Sequence, residues 1–361
     1  MEQAIQGIQI TTGILSTVAS STMATMIVRS GNSLKTPFRR LLFCLSISDV
    51  LNSGAIFLAP FLTPGNNFNT GTIASCDIQV AIFIVGGFLG VISYTFAVCL
   101  YYLCAVRYNM SDADFARKVE RFLHVVIAVA AIIMVTCILA SKSANPYPDG
   151  TLCYIVDSPF GCHVDPDVDC LRGEYAHWYG YYLVVLPVVS ILVGMIATLG
   201  ALCWTVISHE RRTNRRFRAA FSASMSPQSF KSPFAFIRAI KNFFSGTEPQ
   251  SLRSSAASVL TKGQKLARQR SRQTMHQASL YCIVYVFTYI GPLICVLGFY
   301  FKGKNPPQTL SLFVHLIYPL QGVFNILGKY QPVSVPMKVT FVSVSHGASF
   351  RVVHQCILVQ K

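Results

Sequence analysis

The strongest chemical signal in this chain of 361 residues is a carboxylate inside an apolar run. Asp49 is the one Asp or Glu well inside such a run, about eight residues, or roughly 12 Å of helix, past its basic start. A charge in hydrocarbon is costly, so a carboxylate there is expected to serve a switch, a proton or an ion. Its expected partner is Asn325, with water or a cation between them. A second group is aromatic: Tyr182, Tyr289, His315 and Tyr318 stand toward the opposite ends of their runs. Part of this is an interfacial belt, and the rest is expected to line a ligand pocket, with His315 its strongest member.

The twelve cysteines divide by position. Cys44, Cys99, Cys104, Cys137, Cys203, Cys282 and Cys295 lie in apolar runs and read as small packing residues, and Cys356 lies in the tail. Cys76, Cys153, Cys162 and Cys170 lie on what the charge pattern makes the outer side, where disulfides form by default. We expect Cys76 to bond one of the other three and the remaining two to pair. A metal site using these cysteines and His163 is the alternative, and no metal is expected. Asp165, Asp167 and Asp169 repeat at the spacing that opens a calcium loop. Counting from Asp165, however, the required Gly and Glu positions hold Cys170 and Ala176. A solvated acidic loop is expected, able to attract a cationic ligand.

The elements that carry these residues are seven apolar stretches: Ala4–Ile27, Leu41–Leu62, Ile78–Val106, Phe122–Ala140, Trp178–Ser208, Ala278–Phe301 and Leu310–Gly328. Each reaches the roughly 20 residues needed to cross a bilayer as helix. The composition, 12% charged and 52% hydrophobic, argues against a large soluble core. Of 30 Lys and Arg, four lie in the first gap, four in the third, fourteen in the fifth (208–273) and four after the seventh stretch, at Lys329 and, in the tail (331–361), at Lys338, Arg351 and Lys361. Only Lys142, Arg172, Lys302 and Lys304 lie on the other side. The positive-inside rule then puts the N-terminus outside and the tail inside, which seven crossings satisfy. The net charge of +16 is thereby explained as a face opposite anionic lipid, and no nucleic-acid partner is expected. Met1–Gln9 has no basic region, so no cleavable signal peptide is expected. The sequon Asn109-Met110-Ser111 falls on the inner side and is expected to be silent.

The fold class is thus an all-α membrane bundle over 1–330. Pro187 is expected to kink the fifth stretch and Pro292 the sixth, softened by Gly291. Pro319, Gly322 and Asn325 break up the seventh, and Gly86, Gly87 and Gly90 offer the third a face for close helix approach.

Residues 39 to 49, Arg-Arg-Leu-Leu-Phe-Cys-Leu-Ser-Ile-Ser-Asp, resemble the second helix of the G-protein-coupled receptors. The resemblance implies an ion-pocket role for Asp49 and a disulfide from Cys76 to the second extracellular loop. Pro187 and Pro292 match the prolines of the fifth and sixth helices. The run Tyr318 to Asn325 is similar to the seventh helix of the cyclic-AMP-receptor-like branch of protists and plants. The resemblance covers about 10–330 and implies a receptor in the plasma membrane, coupled to a heterotrimeric G protein. There are departures. Arg107-Tyr108 follows Val106 rather than an acid, and counting on from Cys76 to the switch position reaches Tyr101. Ile290 replaces the sixth-helix Trp, Lys329 stands where a Tyr is wanted, and Ser20 and Ser21 replace a first-helix Asn. No Lys precedes Lys329 in the seventh stretch, so a retinal Schiff base is excluded there.

Coupling is expected through the basic segments, at Arg39, Arg40, Arg107, Arg211, Arg212, Arg215 and Arg216. The Ser-rich 208–273 segment carries sites suited to kinases at Ser226, Ser232, Ser254 and Ser271. Ser232–Phe244 forms an amphipathic pattern suited to anionic lipid or calmodulin. No enzyme is expected, since no triad, metal-ligand set or phosphate loop is present, and no cofactor is implied. The alternatives are a small-solute transporter, which would want internal repeats and more ionisable groups at the midplane, and a non-signalling seven-helix scaffold.

Overall fold

The computed structural model describes residues 2–30, 33–65, 70–148, 150–165, 167–224, 284–295, 297, 308–330, 339–341 and 356–358. The chain is mostly helical and forms two compact units, residues 1–202 with 277–331 and residues 203–276 with 332–361.

Among the described residues, five helices are long and apolar enough to cross a membrane. Helix α1 is Glu2–Arg29 and α2 is Pro37–Phe57. Pro37 suits the first turn of α2, where its missing N–H has no helical partner to lose. The second apolar stretch does not continue as one helix to Leu62. It breaks at Leu58 and resumes as a short turn, Ala59–Leu62, because Pro60 cannot donate back into α2.

Helix α3, Ile73–Arg107, starts in a capping box: Thr72 N–H donates to Ser75 Oγ at 2.7 Å and Ser75 N–H to Thr72 Oγ1 at 3.2 Å. Its middle, Ile84–Val91, widens into a π-helical stretch that carries the three glycines. These let α3 lie against α2 almost backbone to backbone. A Cβ on Gly86 would meet Asn52 N at 2.7 Å, and one on Gly90 would meet Ser48 Cβ at 2.7 Å. The expected close approach is therefore made, and α2 is its other side.

Helix α4, Asp112–Ala140, begins ten residues before the fourth apolar stretch, capped by Ser111. Much of its length faces away from the protein, with Ile132 66% exposed, which fits a lipid-facing surface. Helix α5, Ala176–Thr205, is continuous to Ser224. Gly180–Val185 is π-helical, and regular helix resumes at Leu186. Pro187 sits at this junction, where the wider turn accommodates the bond it cannot make.

Two shorter apolar helices are also described: α6, Val284–Cys295, and a seventh helix in two halves, α7 (Gln308–Ile317) and α8 (Gln321–Tyr330). The halves are joined by a tighter turn, Tyr318–Leu320, around Pro319. The described parts of α6 and of the seventh helix are shorter than the stretches 278–301 and 310–328.

Between α4 and α5 the chain forms a hairpin, β1 (Ala144–Pro146) with β2 (Cys153–Ile155), antiparallel with Asn145 opposite Tyr154. Cys153 is disulfide-bonded to Cys76 at the start of α3, and Cys162 to Cys170 within the following loop. This selects one of the pairings the sequence left open. The second unit is described over the last turns to Ser224 and over β3 (Val339–Phe341) paired with β4 (Cys356–Leu358). The Ser232–Phe244 pattern and Ser226, Ser254 and Ser271 lie outside the described residues.

The two disulfides differ in loop length, 77 against 8 residues. Replacing both Cys76 and Cys153 by Ser is expected to cost about 4 kcal/mol, and replacing Cys162 and Cys170 about 2 kcal/mol. Thermal unfolding of the purified protein checks the order; equal losses would contradict it.

Candidate functional site

Asp49 lies at the centre of α2 and is 2% exposed. Its Oδ2 accepts from Asn325 Nδ2 at 2.6 Å. The expected neighbour is found, but contact is direct rather than through water or a cation. The reason lies in the packing of α8 on α1. Gly322 N–H donates to Ser16 Oγ at 3.1 Å, and a Cβ on Gly322 would run into the hydroxyls of Ser16 and Ser20. The seventh helix therefore comes close enough for Asn325 to reach the carboxylate. Asp49 Oδ1 and Asn325 Oδ1 have no partner among the described residues.

Around this pair is a connected polar layer. Asn52, one turn further along α2, accepts from Tyr318 O–H at 3.2 Å. Tyr318 stacks edge-on with Tyr289, whose ring lies 4.3 Å from that of Tyr285, and Tyr289 O–H reaches Gly87 O at 3.5 Å. Ser53 bonds Thr17 at 2.8 Å. The layer joins α1, α2, α3, α6 and the seventh helix. The polar positions of α1 and α2 could be listed from the sequence, but which of them face one another could not.

Above this layer, at the disulfide end, is a cavity of about 110 Å³. Phe83 and Phe88 of α3, Tyr147, Leu152 and Tyr154 of the hairpin, and Ile56 of α2 form one side. Pro292 and Cys295 of α6 and Val314, His315, Tyr318 and Pro319 of the seventh helix form the other, with Gln9 of α1. His315 and Tyr318 thus stand where a pocket was expected. Tyr289 is buried behind Tyr318 and is not part of the lining. Tyr182, also expected at a pocket, lies outside this lining: it is 52% exposed and stacks on Trp178, within the widened turn of α5.

The hairpin wall is fixed by contacts that sequence reasoning missed. Gln79 Oε1 accepts from Cys153 N–H and Thr63 Oγ1, both at 3.3 Å, and its amide donates to Ala55 O at 3.2 Å. Asn145 donates to Val156 O at 2.7 Å and accepts from Arg172 Nε at 3.0 Å. In the loop beyond, His163 bonds Asp157 at 2.7 Å and stacks on His177. Asp157, Cys162 and Cys170 cluster as metal ligands might, but both sulfurs are in the disulfide, so no thiolate is offered. Asp165, Asp167 and Asp169 are exposed, as a solvated acidic loop requires.

At the other end, Arg40 is not free for a partner. Its Nε and Nη2 both bond Glu120 of α4 at 2.6 Å, and it also donates to Leu34 O at 2.9 Å. Glu120 is buried, a second acid inside the helical body. Arg39 donates to Ser30 at 2.7 Å, and Arg107 is exposed beside Tyr108. Tyr101, at the switch position by counting, donates to Asp112 at 2.9 Å and packs on Phe38 and Phe115. Arg211, Arg212, Arg215 and Arg216 fall on the described helix, but their side chains are outside the described residues.

The chain matches no known protein-family model and no curated protein.

A bidentate pair to a buried carboxylate is worth more than an exposed one. Glu120→Gln is expected to cost about 1.5–3 kcal/mol, and Arg40→Lys nearly as much, because Lys cannot make the two parallel bonds. Melting temperatures of both variants test this; an unchanged value for Arg40→Lys would show that the fork geometry does not matter.

Proposed function

We propose that the chain is a seven-helix receptor of the plasma membrane, N-terminus outside, that passes an extracellular signal to a heterotrimeric G protein. The observation that carries this reading is the hydrogen bond between Asp49 and Asn325. It joins two residues that the resemblance to G-protein-coupled receptors picks out on its second and seventh helices. The disulfide from Cys76 to the following hairpin and the cavity beneath that hairpin favour the same reading.

In this mechanism the cavity is the input. Pro292 of α6 and Pro319 of the seventh helix line it, so a ligand there bears directly on the two points where those helices lack a backbone bond. Tyr318 links the cavity to Asn52, and the polar layer continues from there to Asp49 and Asn325. A ligand that prefers one arrangement of the seventh helix would shift the population of that layer. At the inner end the Arg40–Glu120 pair holds α2 to α4, which leaves Arg107 and the 208–273 segment as coupling surface. The fourteen basic residues of that segment would also meet anionic lipid, with calmodulin or a kinase as further partners.

The test is nucleotide exchange on co-reconstituted heterotrimers across a compound screen. At least one compound is expected to raise exchange in the wild type, and Asp49→Asn, which keeps the shape but removes the ionisable group, to reduce that response about tenfold or more. Asn109 is expected to carry no glycan in cells. Sugar on Asn109 would reverse the orientation, and compound uptake into vesicles without any exchange would favour the transporter.

A further inference from the structure

The cavity beneath the hairpin has a chemistry that narrows what can enter it. None of its described lining residues is Lys, Arg, Asp or Glu. An anion or a cation placed there would lose its hydration with no opposite charge to meet it. The walls are mostly rings and branched aliphatics, from Phe83, Phe88, Ile56 and Val314 among others. The volume of about 110 Å³ sets the size. An apolar cavity of about 150 Å³ accepts benzene, so this one takes a single ring at most.

One polar feature breaks the apolar wall. Gln9 is 1% exposed, and its Nε2 lies 3.3 Å from His315 Nδ1. The amide nitrogen can only donate, so Nδ1 accepts in this contact. Gln9 Oε1 is then turned away from the histidine. It is buried and has no partner among the described residues. A buried carbonyl oxygen without a donor carries a desolvation cost that a ligand N–H or O–H would remove.

We infer that the cavity binds an uncharged molecule of one ring or less that donates one hydrogen bond to Gln9 Oε1. This rests on the receptor reading only for its consequence in signalling; the binding itself follows from the cavity. The same chemistry rejects phosphate-bearing ligands, and so separates this chain's input from a cyclic nucleotide. It also assigns no ligand-binding role to the acidic loop, whose exposed carboxylates lie outside the lining.

The experiment is ligand-observed fluorine NMR on the full chain in lipid nanodiscs, with empty nanodiscs subtracted for partitioning. The probes are 4-fluorophenol, fluorobenzene, 4-fluoroanisole and 4-fluorobenzoate. Saturable binding of 4-fluorophenol is expected, with 4-fluorobenzoate at least about tenfold weaker. Gln9→Leu is expected to weaken 4-fluorophenol about tenfold and leave fluorobenzene unchanged. Val314→Phe, which fills the cavity from the opposite wall, is expected to abolish both, with a melting curve to verify folding. Benzoate binding as well as the phenol, the ether binding better than the phenol, or Gln9→Leu leaving the phenol unaffected would each overturn the assignment. No G protein is present, so the two readings fail separately. Binding without any nucleotide exchange would count against the receptor, and exchange driven only by charged ligands would count against this cavity chemistry.

Discussion

The hydrogen bond between Asn325 and Asp49 sets the terms on which the helices meet. A carboxyl group this deeply buried needs a partner among the side chains packed around it, and Asn325 supplies one to Oδ2. To bring Asn325 within 2.6 Å, the seventh helix packs on α1 without a side chain at Gly322; beside this contact, α3 approaches α2 without one at Gly86, Gly87 and Gly90. Small residues therefore sit beside the polar ones. Each polar group added to the layer, from Ser16 to Tyr318, gains a partner only because the backbones are this close.

The two ends of the bundle are held by different physics. At the disulfide end the hairpin is fastened covalently at Cys153, and then by Gln79, which spends its whole amide on three separate elements. That wall is fixed, so a cavity under it has a defined shape. The opposite end relies on a forked ion pair between Arg40 and Glu120 and on Tyr101 bonded to Asp112. Such contacts are non-covalent and can be exchanged for others, whereas a disulfide cannot.

The departures from regular α-helix fall beside the polar layer and the cavity. The π-helical stretch of α3 carries the glycines that face Asn52 and Ser48, and the tighter turn at Tyr318–Leu320 brings Tyr318 against Asn52 while Pro319 lines the cavity. In α5 the widened turn before Pro187 rotates Tyr182 away from the bundle. These irregularities decide which residues face inward.

Much of the helical framework was legible in the sequence, because apolar length and the absence of charge are local properties. The importance of Asp49, its association with Asn325, the close-approach glycines of α3 and the four cysteines that pair were legible for the same reason: each residue type is unusual where it stands. What the sequence could not determine is rotation and register. In helices apolar on most sides there is no polar stripe to say which face is inner, and a single π turn shifts every later side chain by a residue. The contact of Arg40 with Glu120, the pairing of Cys76 with Cys153, the outward turn of Tyr182 and the meeting of Gln9 with His315 across 306 positions were therefore decided only when the helices packed.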